Sequence, residues 1–255
     1  MNKIMTDKLP VVTIITVVYN SEQFIEKTIR SVINQSYPNI EYIIIDGGST
    51  DGTLKIVNDY AKYIDCFVSE PDNGLYDAMN KGIKNAKGDY LWFINSGDLP
   101  YNETVLSDVF SKKVAFADIY YGETEIIDTE GKPLGMRRHK APQKLTWKTF
   151  RMGMKISHQS IIVKKEIAGL YNLEYKLSAD FDWVIKVLKE AKSIENTELI
   201  LSKFMDGGMT KKNMFPSLKE RFHIMKNNYG LIPTVLNHIV LIIKLAFYYL
   251  KNKRF

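Results

Sequence analysis

Short apolar segments alternate with amphipathic segments through the first hundred residues, and this alternation limits the fold more than any other feature of the chain. Residues 11–18 form a β-branched apolar run, which is typical of a buried strand in a parallel sheet. Three more apolar runs follow at residues 41–45, 66–68 and 90–94. Since parallel strands need long crossovers, usually helical, the pattern predicts an α/β fold with a doubly wound sheet.

The segments between these strands have helical periodicity. Apolar residues recur every three or four positions across residues 24–33, and helices are also predicted at residues 53–62 and 75–86. Beyond residue 115 the pattern is weaker. There we predict a hairpin around Gly131, a strand at 157–163, a helix at 181–191 starting at Asp180, and helices at 217–229 and 234–250.

Composition narrows the class of protein. The single cysteine, Cys66, excludes a disulfide framework and a multi-cysteine zinc site, and favours a cytoplasmic protein. The formal net charge of +6 favours anionic partners. The first ten residues have no apolar core, so we expect no leader peptide there.

Polar clusters follow each predicted strand. They lie at Tyr19-Asn20, Asp46 to Asp51, Glu70 to Asn73 and Asn95 to Asp98. In open α/β sheets ligands bind at the carboxyl ends of the strands, so these clusters should meet in one site. The first strand is not followed by G-x-G-x-x-G, which disfavours a nicotinamide oxidoreductase. No predicted helix has a basic stripe with interleaved aromatics, so we expect no nucleic-acid partner.

Four segments together resemble the amino-terminal half of family-2 inverting glycosyltransferases with the GT-A fold. They are TVVYN (16–20), IIIDGGSTDGT (43–53), SEPDNGLYDAMNKGI (69–83) and YLWFINSGD (90–98). The resemblance implies a GT-A type, Rossmann-like mixed sheet with C-terminal helices. It also implies transfer of a sugar from a nucleotide sugar, expected to be a UDP-sugar. After an N-terminal tail (1–10), residues 11–115 would then be the nucleotide-sugar-binding half and residues 116–215 the acceptor-binding half of the same domain, followed by a helical C-terminal segment (216–255). The acceptor would be a glycan or a lipid-linked molecule of lipopolysaccharide or capsule biosynthesis.

The resemblance gives Asp46 the role of accepting the imide N–H of uracil, and the glycines after it permit close approach of backbone to a ligand. The alternative for Asp46 to Asp51 is an ordinary strand-to-helix turn with a polar cap. Thr16 and Val18 are equally consistent with the core, and Asp77 with Lys81 is equally consistent with a surface ion pair. The residues expected to contact the nucleotide are Thr16, Val18, Tyr19, Asn20, Asp46, Gly48, Ser49, Asp72, Asp77, Lys81, Asn95, Ser96 and Gly97.

The segment Asn95-Ser96-Gly97-Asp98 departs from the acidic D-x-D cluster of most relatives. Only Asp98 retains a charge, and we expect it to bind Mg²⁺ or Mn²⁺ together with the diphosphate of the donor. The alternative is a non-catalytic nucleotide-sugar-binding or scaffold protein with a degenerate metal site.

The catalytic base is expected in LSADFDWVIK. The resemblance assigns this role to Asp180, and general-base catalysis needs such a carboxylate. Asp180 is also suited to cap the helix that follows. On the acceptor or sugar side we expect Asp182, His158, Gln159, Gly208 and Thr210; the alternatives are a polar pair at a strand edge for His158-Gln159 and a plain turn for the glycine loop.

Residues 231–250 are strongly apolar but include Pro233, His238 and Lys244. These residues argue against a membrane-spanning helix. The segment and its basic end are typical of an interfacial helix, which predicts peripheral attachment to the cytoplasmic face of the membrane. A helix packed on the rest of the protein is the alternative.

Overall fold

A parallel sheet forms the first part of the molecule. The computed structural model describes residues 9–110, 115–207 and 214–240. Four of its strands lie in the order β3-β2-β1-β4, all parallel. They are β1 (Val12–Val18), β2 (Ile40–Asp46), β3 (Cys66–Ser69) and β4 (Tyr90–Phe93). The four predicted strands are therefore confirmed; the apolar runs of β1, β2 and β4 are largely buried, whereas the edge strand β3 is partly exposed.

Helices connect these strands, as the periodicity predicted. They are α1 (Ile25–Ile33), α2 (Thr53–Asp59) and α3 (Leu75–Asn85). In α1 the buried residues Ile25, Ile29 and Val32 fall on one face, because a spacing of three or four residues returns to the same side of a helix.

The later part of the chain extends the same sheet. The added elements are β5 (Leu99–Pro100), α4 (Val105–Phe110), β6 (Ile119–Ile127), β7 (Pro133–Met136), β8 (Ile161–Lys164), α5 (Ala179–Glu190), β9 (Ile194–Met205) and α6 (Met214–Tyr229). Strand β8 pairs antiparallel with β4, β6 pairs antiparallel with β8, and β9 runs parallel to β6. The sheet is therefore mixed, in the order β3-β2-β1-β4-β8-β6-β9-β5, and β7 pairs with β6.

Apolar clusters cover both faces of the sheet. One cluster includes side chains of α3 and α5, and the other includes side chains of α1 and α4. Strand residues alternate between the two, so that Ile43 and Ile45 join the first cluster whereas Tyr42 and Ile44 join the second. This arrangement confirms the doubly wound α/β class and leaves the carboxyl ends of the strands for a site.

Some predicted elements are corrected. Residues 158–160 form a 3-10 turn, and the strand predicted from residue 157 begins only at Ile161. Helix α5 begins at Ala179, so Ser178 occupies the N-cap position and the interpretation of Asp180 as the cap is wrong. Strand β9 was not predicted. The hairpin around Gly131 is confirmed as β6 and β7.

The C-terminal prediction is tested only in part. Residues 231–240 are helical, and residues 241–250 lie outside the described residues. Within the part of the chain that the structure describes, no helix is long and apolar enough to cross a membrane.

Candidate active site

Two neighbouring cavities open where the parallel strands end. The edge cavity, of about 880 Å³, lies over the loops that follow β1, β2 and β3. The central cavity, of about 560 Å³, lies over β4 and reaches the ends of β6 and β9. Three residues line both cavities: Leu75, Asn95 and Ser96. The loop after β4 is therefore a wall shared by the two cavities.

The edge cavity is lined by an exposed aromatic ring and a carboxylate. Tyr19 is 63% exposed, and Val18, Gly48 and Asp72 line the same cavity. Gly47 leaves room for Asp72, since a Cβ at residue 47 would collide with Asp72 Oδ2. Asp72 Oδ1 accepts a hydrogen bond from the Gly74 backbone N at 2.8 Å. This places a carboxylate and a flat ring together on the cavity wall.

Hydrogen bonds join the loops beneath this cavity. The backbone N of Asn20 donates to Ser49 Oγ, and the backbone N of Thr50 donates to Asn20 Oδ1, both at 2.8 Å. Asn20 has a φ of 44°, a left-handed conformation that asparagine tolerates better than most residues. Asn20 and Ser49 thus hold the loops after β1 and β2 together.

Asp46 lies below the cavity wall rather than on it. Its side chain is fully buried, and Oδ2 accepts hydrogen bonds from the backbone N of Gly48 and of Ser49, each at 3.0 Å, and from Ser69 Oγ at 2.8 Å. Oδ1 is buried and has no hydrogen-bond partner among the described residues. Thr16 is also buried, and its Oγ1 donates to the Ile94 carbonyl at 2.7 Å. Asp46 and Thr16 are thus part of the protein interior beneath the edge cavity and do not line it.

The shared wall contains a buried oxygen without a partner. Asn95 Oδ1 makes no hydrogen bond to any described residue. Ser96 Oγ lies 2.7 Å from Ser21 Oγ, and the Gly97 backbone N donates to Thr28 Oγ1 at 3.0 Å. Gly97 has a φ of 96°, a conformation that favours glycine. Asn95, in the same turn, lines both cavities.

Asp98 connects three elements under the central cavity. Its Oδ2 accepts a hydrogen bond from Gln159 Nε2 at 2.8 Å, and its Oδ1 accepts one from the Met205 backbone N at 3.0 Å. Burial raises the pKa of Asp98 to about 7, and the two hydrogen bonds oppose this rise. Close to neutral pH the Asp98 carboxyl is therefore only partly ionised, and a cation nearby would favour its charged form.

His158 lines the central cavity in an apolar surrounding. Its ring packs against Phe93 and Trp183, and its Nε2 is hydrogen-bonded to the hydroxyl of Tyr171. Burial lowers the pKa of His158 to about 3, so the ring is neutral over the physiological range. This environment suits positioning and packing better than proton transfer.

Asp180 lies in the first turn of α5 and lines the central cavity. The Tyr76 hydroxyl donates to its Oδ1 at 3.1 Å. Burial raises the pKa of Asp180, and the positive charge of Arg221 opposes that rise. The Asp180 carboxylate thus lies at the cavity wall with a hydroxyl donor on one oxygen, an arrangement suited to a general base.

Three other predicted residues line neither cavity. Asp182 is paired with Lys186, its Oδ2 lying 2.7 Å from Lys186 Nζ. Asp77 Oδ2 accepts from the Asn73 backbone N at 3.0 Å, whereas Lys81 pairs with Glu70 at 2.9 Å. The surface pair Asp77–Lys81, considered above as an alternative, is therefore not formed. Gly208 and Thr210 lie outside the described residues.

Tyr76 and Arg137 are two polar residues of the central cavity that are not among the predicted site residues. Tyr76 lies within the segment 69–83 that carries the resemblance, where it forms part of the buried face of α3. Arg137 belongs to the basic run that follows β7, and no motif or spacing in the sequence points to it. Helical periodicity was a usable signal for Tyr76; for Arg137 only the tertiary structure reveals the location.

The family model of glycosyl transferase family 2 matches residues 13–167, a range that contains every residue lining the edge cavity. This chain belongs to that family. WfgD of Escherichia coli, a UDP-Glc:alpha-D-GlcNAc-diphosphoundecaprenol beta-1,3-glucosyltransferase, is 27% identical over 254 residues, covering 95% of this chain and 98% of WfgD. TuaG of Bacillus subtilis, described as a candidate glycosyltransferase of teichuronic acid biosynthesis, is 32% identical over 171 residues, covering 65% of this chain and 66% of TuaG.

A solved structure supports the same fold. Staphylococcus aureus TarS 1-349 in complex with UDP-GlcNAc superposes with a TM-score of 0.65 at 22% identity, covering 86% of this chain and 65% of TarS 1-349. The GT-A fold predicted from the four segments is thereby confirmed, and the chain is a family-2 glycosyltransferase.

Proposed function

We propose that this glycosyltransferase moves a sugar, with inversion, from a UDP-sugar to a glycan or lipid-linked acceptor. The observation that carries the proposal is the wall shared by the two cavities, with Asp180 across the central one. A nucleotide in the edge cavity would put its diphosphate at Asn95 and Ser96. The sugar would then enter the central cavity and face Asp180.

We assign recognition of the base to Asp72 and Tyr19 rather than to Asp46. Asp72 Oδ2 and the Tyr19 ring lie on the wall of the edge cavity, whereas Asp46 is buried beneath it. A carboxylate oxygen accepts the imide N–H of uracil, and an exposed ring stacks on the base. Cytosine has an acceptor at the equivalent nitrogen, so this arrangement favours UDP over CDP.

The reaction proposed is a single displacement. Asp180 takes the proton of the acceptor hydroxyl while that oxygen attacks the anomeric carbon, and the bond from this carbon to the diphosphate oxygen breaks. Inversion follows because attack and departure are on opposite faces. The positive charge of Arg221 keeps the Asp180 carboxylate available for this role.

The oxygens on the shared wall fit a hard cation. Asn95 Oδ1 is buried without a partner among the described residues. Asp98 belongs to the same turn, since its backbone N donates to the Asn95 carbonyl at 2.9 Å, and it lines the central cavity. Within the described ranges no group of three His, Cys, Asp or Glu is placed to hold a metal, so phosphate oxygens of the donor would complete the ligand set. Bound Mg²⁺ or Mn²⁺ would neutralise the departing diphosphate.

We propose a place in cell-surface polysaccharide assembly, such as lipopolysaccharide or capsule, at the cytoplasmic face of the membrane; the activities described for WfgD and TuaG support the polysaccharide part of this proposal. Large apolar side chains are exposed on the C-terminal helices: Phe215, Leu218, Leu231, Ile232, Val235, Leu236, Ile239 and Val240. We propose that these side chains rest on the lipid surface. Co-sedimentation with anionic vesicles should be lost on replacing Ile232 and Leu236 by Ser, while the same changes leave UDP binding unaltered.

Donor turnover tests the proposal. Purified protein is given UDP- and GDP-sugars with Mg²⁺, Mn²⁺ or EDTA, and release of nucleoside diphosphate is measured with a glycolipid extract as acceptor. We expect metal-dependent release from a UDP-sugar that is lost in Asp98→Ala. Binding of donors without any release would favour the alternative, a non-catalytic nucleotide-sugar-binding protein.

A further inference from the structure

A buried hydroxyl contacts the carboxylate that we propose as the general base. Tyr76, on the buried face of α3, is 7% exposed, and its hydroxyl donates to Asp180 Oδ1 at 3.1 Å. A buried hydroxyl destabilises a protein unless it finds a hydrogen-bond partner, and phenylalanine would fill the same space without that requirement. The hydroxyl of Tyr76 therefore needs an explanation beyond packing, and its contact with Asp180 supplies one.

The ring of Tyr76 belongs to a column of three stacked aromatic rings. Its centroid lies 5.5 Å from that of Tyr171, and the Tyr171 centroid lies 5.1 Å from that of Trp183, with interplanar angles of 27° and 17°. All three side chains are buried. Trp183 follows Asp180 on α5, and residues three apart share one face of a helix. The column therefore connects Tyr76 with the helix that carries Asp180.

The middle ring of this column is fastened to α3. Asn80, one turn after Tyr76, donates from Nδ2 to the Tyr171 carbonyl at 3.0 Å, and its Oδ1 accepts from the Tyr171 backbone N at 2.7 Å. Asn80 is itself buried. The Tyr171 hydroxyl is hydrogen-bonded to His158 Nε2. The ring that packs on Tyr76 is thus held through both its backbone and its hydroxyl, which restrains Tyr76 beside Asp180.

We propose that Tyr76 is a positioning residue for the general base: its hydroxyl holds the Asp180 carboxylate in one orientation and stabilises its charged form. A hydrogen bond donated to a carboxylate favours the charged form over the neutral acid. Tyr76 does not take the acceptor proton itself, because burial raises the pKa of its hydroxyl, which stays protonated at physiological pH. This inference rests on the proposed transferase function, in which Asp180 is the base.

Other charges act on the same pair of groups. Burial raises the pKa of Asp180, and the positive charge of Arg221 on α6 is the largest of the effects that oppose this rise. The negative charge of Glu220, also on α6, acts on the Tyr76 hydroxyl. The other titratable groups that line the central cavity or join the column are Asp98, Arg137, His158, Tyr171 and Asp206. Tyr76→Phe leaves all of these residues in place, so a change in the pKa of Asp180 would report the loss of the hydroxyl.

The experiment follows the ionisation of Asp180 directly, without donor or acceptor. Protein labelled with ¹³C at the aspartate carboxyl carbons is titrated with pH by NMR, and the Asp180 resonance is the one that is missing in Asp180→Asn. Tyr90→Phe is the matched control for Tyr76→Phe. It removes another buried tyrosine hydroxyl, which donates to the Ala117 carbonyl at 2.6 Å within the cluster on the other face of the sheet.

We expect the ionisation midpoint of Asp180 to rise by about one pH unit in Tyr76→Phe, the shift that matches loss of one hydrogen bond to a charged group. The midpoint should not move in Tyr90→Phe. The sign follows because the hydroxyl stabilises the carboxylate, so its loss favours the protonated acid. Since the charged form is the active base, the pH at which kcat falls on the acid side should move up by the same amount, while kcat on the plateau above it stays within a few-fold.

The inference is overturned if the Asp180 midpoint does not rise in Tyr76→Phe, or if it rises equally in Tyr90→Phe. A loss of kcat that is the same at every pH, with no shift of the acid limb, would likewise make Tyr76 a packing residue. Should the unmodified protein release no UDP from any donor, the proposed function would fail instead. The NMR titration would still show whether the hydroxyl acts on Asp180, so the two failures are distinguishable.

Discussion

The edge cavity and the central cavity are built in different ways. All the residues that line the edge cavity lie between positions 17 and 96, at or after the ends of consecutive strands of the parallel sheet. The central cavity collects residues from many separate segments: 24, 75–79, 95–98, 126–137, 154–159, 177–180 and 204–207. The proposed binding of the nucleotide therefore depends on local strand-to-helix turns, whereas the proposed chemistry depends on how distant segments meet.

The two cavities also differ in their titratable groups. In the central cavity burial raises the pKa of Asp98 and Asp180 and lowers that of His158. The edge cavity instead presents an exposed ring and the Asp72 carboxylate, which is only partly buried. Because the two cavities differ in this way, mutations should affect UDP binding and sugar transfer separately. The following predictions test this separation.

Asp180→Asn should have the largest effect. Removal of a general base lowers kcat by about 10²–10⁴-fold, and the Kd for UDP should not change, because Asp180 does not line the edge cavity. Asp182→Asn is the matched control, as its carboxylate pairs with Lys186 away from both cavities, and it should retain transfer within a few-fold. Equal losses in the two variants, or a weaker Kd for UDP in Asp180→Asn, would break the separation.

Asp98 should make stability depend on pH. Its folded pKa of about 7 lies above the unfolded value of 3.8, so the folded state binds the proton more tightly. Stability is therefore highest below the unfolded pKa and is lost as pH rises towards 7, by about 2 kcal/mol between pH 5 and pH 7. Urea unfolding at these two pH values should show this loss in the unmodified protein and not in Asp98→Asn. Parallel pH dependences would contradict the assignment.

Asp72→Asn should weaken UDP binding about tenfold, since a hydrogen bond to a charged group contributes about 1.5–3 kcal/mol. The preference for UDP over CDP should fall with it, while kcat at saturating donor changes little. Asp59→Asn, an exposed residue of α2, is the control. If instead Asp46→Asn abolished the preference in a protein of unchanged stability and Asp72→Asn did not, base recognition would return to Asp46.

Tyr19→Ala should have the smallest effect, about fivefold in the Kd for UDP. Stacking of a base on an aromatic side chain contributes about 1–3 kcal/mol, and the low end applies because the ring is 63% exposed. Tyr63→Ala removes another exposed tyrosine, outside both cavities, and should leave the Kd unchanged. A loss in kcat at saturating donor would show that the ring acts beyond the edge cavity.

The parallel half of the fold and the position of its loops can be predicted from the amino-acid sequence alone. Buried parallel strands are continuous apolar runs, and helices that cover them repeat every three or four residues, so both are visible locally. From the sequence we also predicted that Tyr19, Asp72 and Asn95 follow three of the four parallel strands. Because parallel strands end at one edge of the sheet, their meeting in one site followed from topology alone.

The composition of the central cavity, in contrast, depends on tertiary contacts that the sequence does not reveal. Strand β9 mixes polar and apolar residues, and it exists as a strand because β6 and β5 pair with it. That pairing brings Met205 to Asp98 across 107 positions of sequence, and the packing of α3 on α5 brings Tyr76 to Asp180 across 104. Periodicity records which face of an element is buried, but not which distant element covers it. For the same reason the close approach of Asp72 to Gly47, which leaves no room for a Cβ at residue 47, cannot be predicted from the sequence, since it depends on how two loops meet.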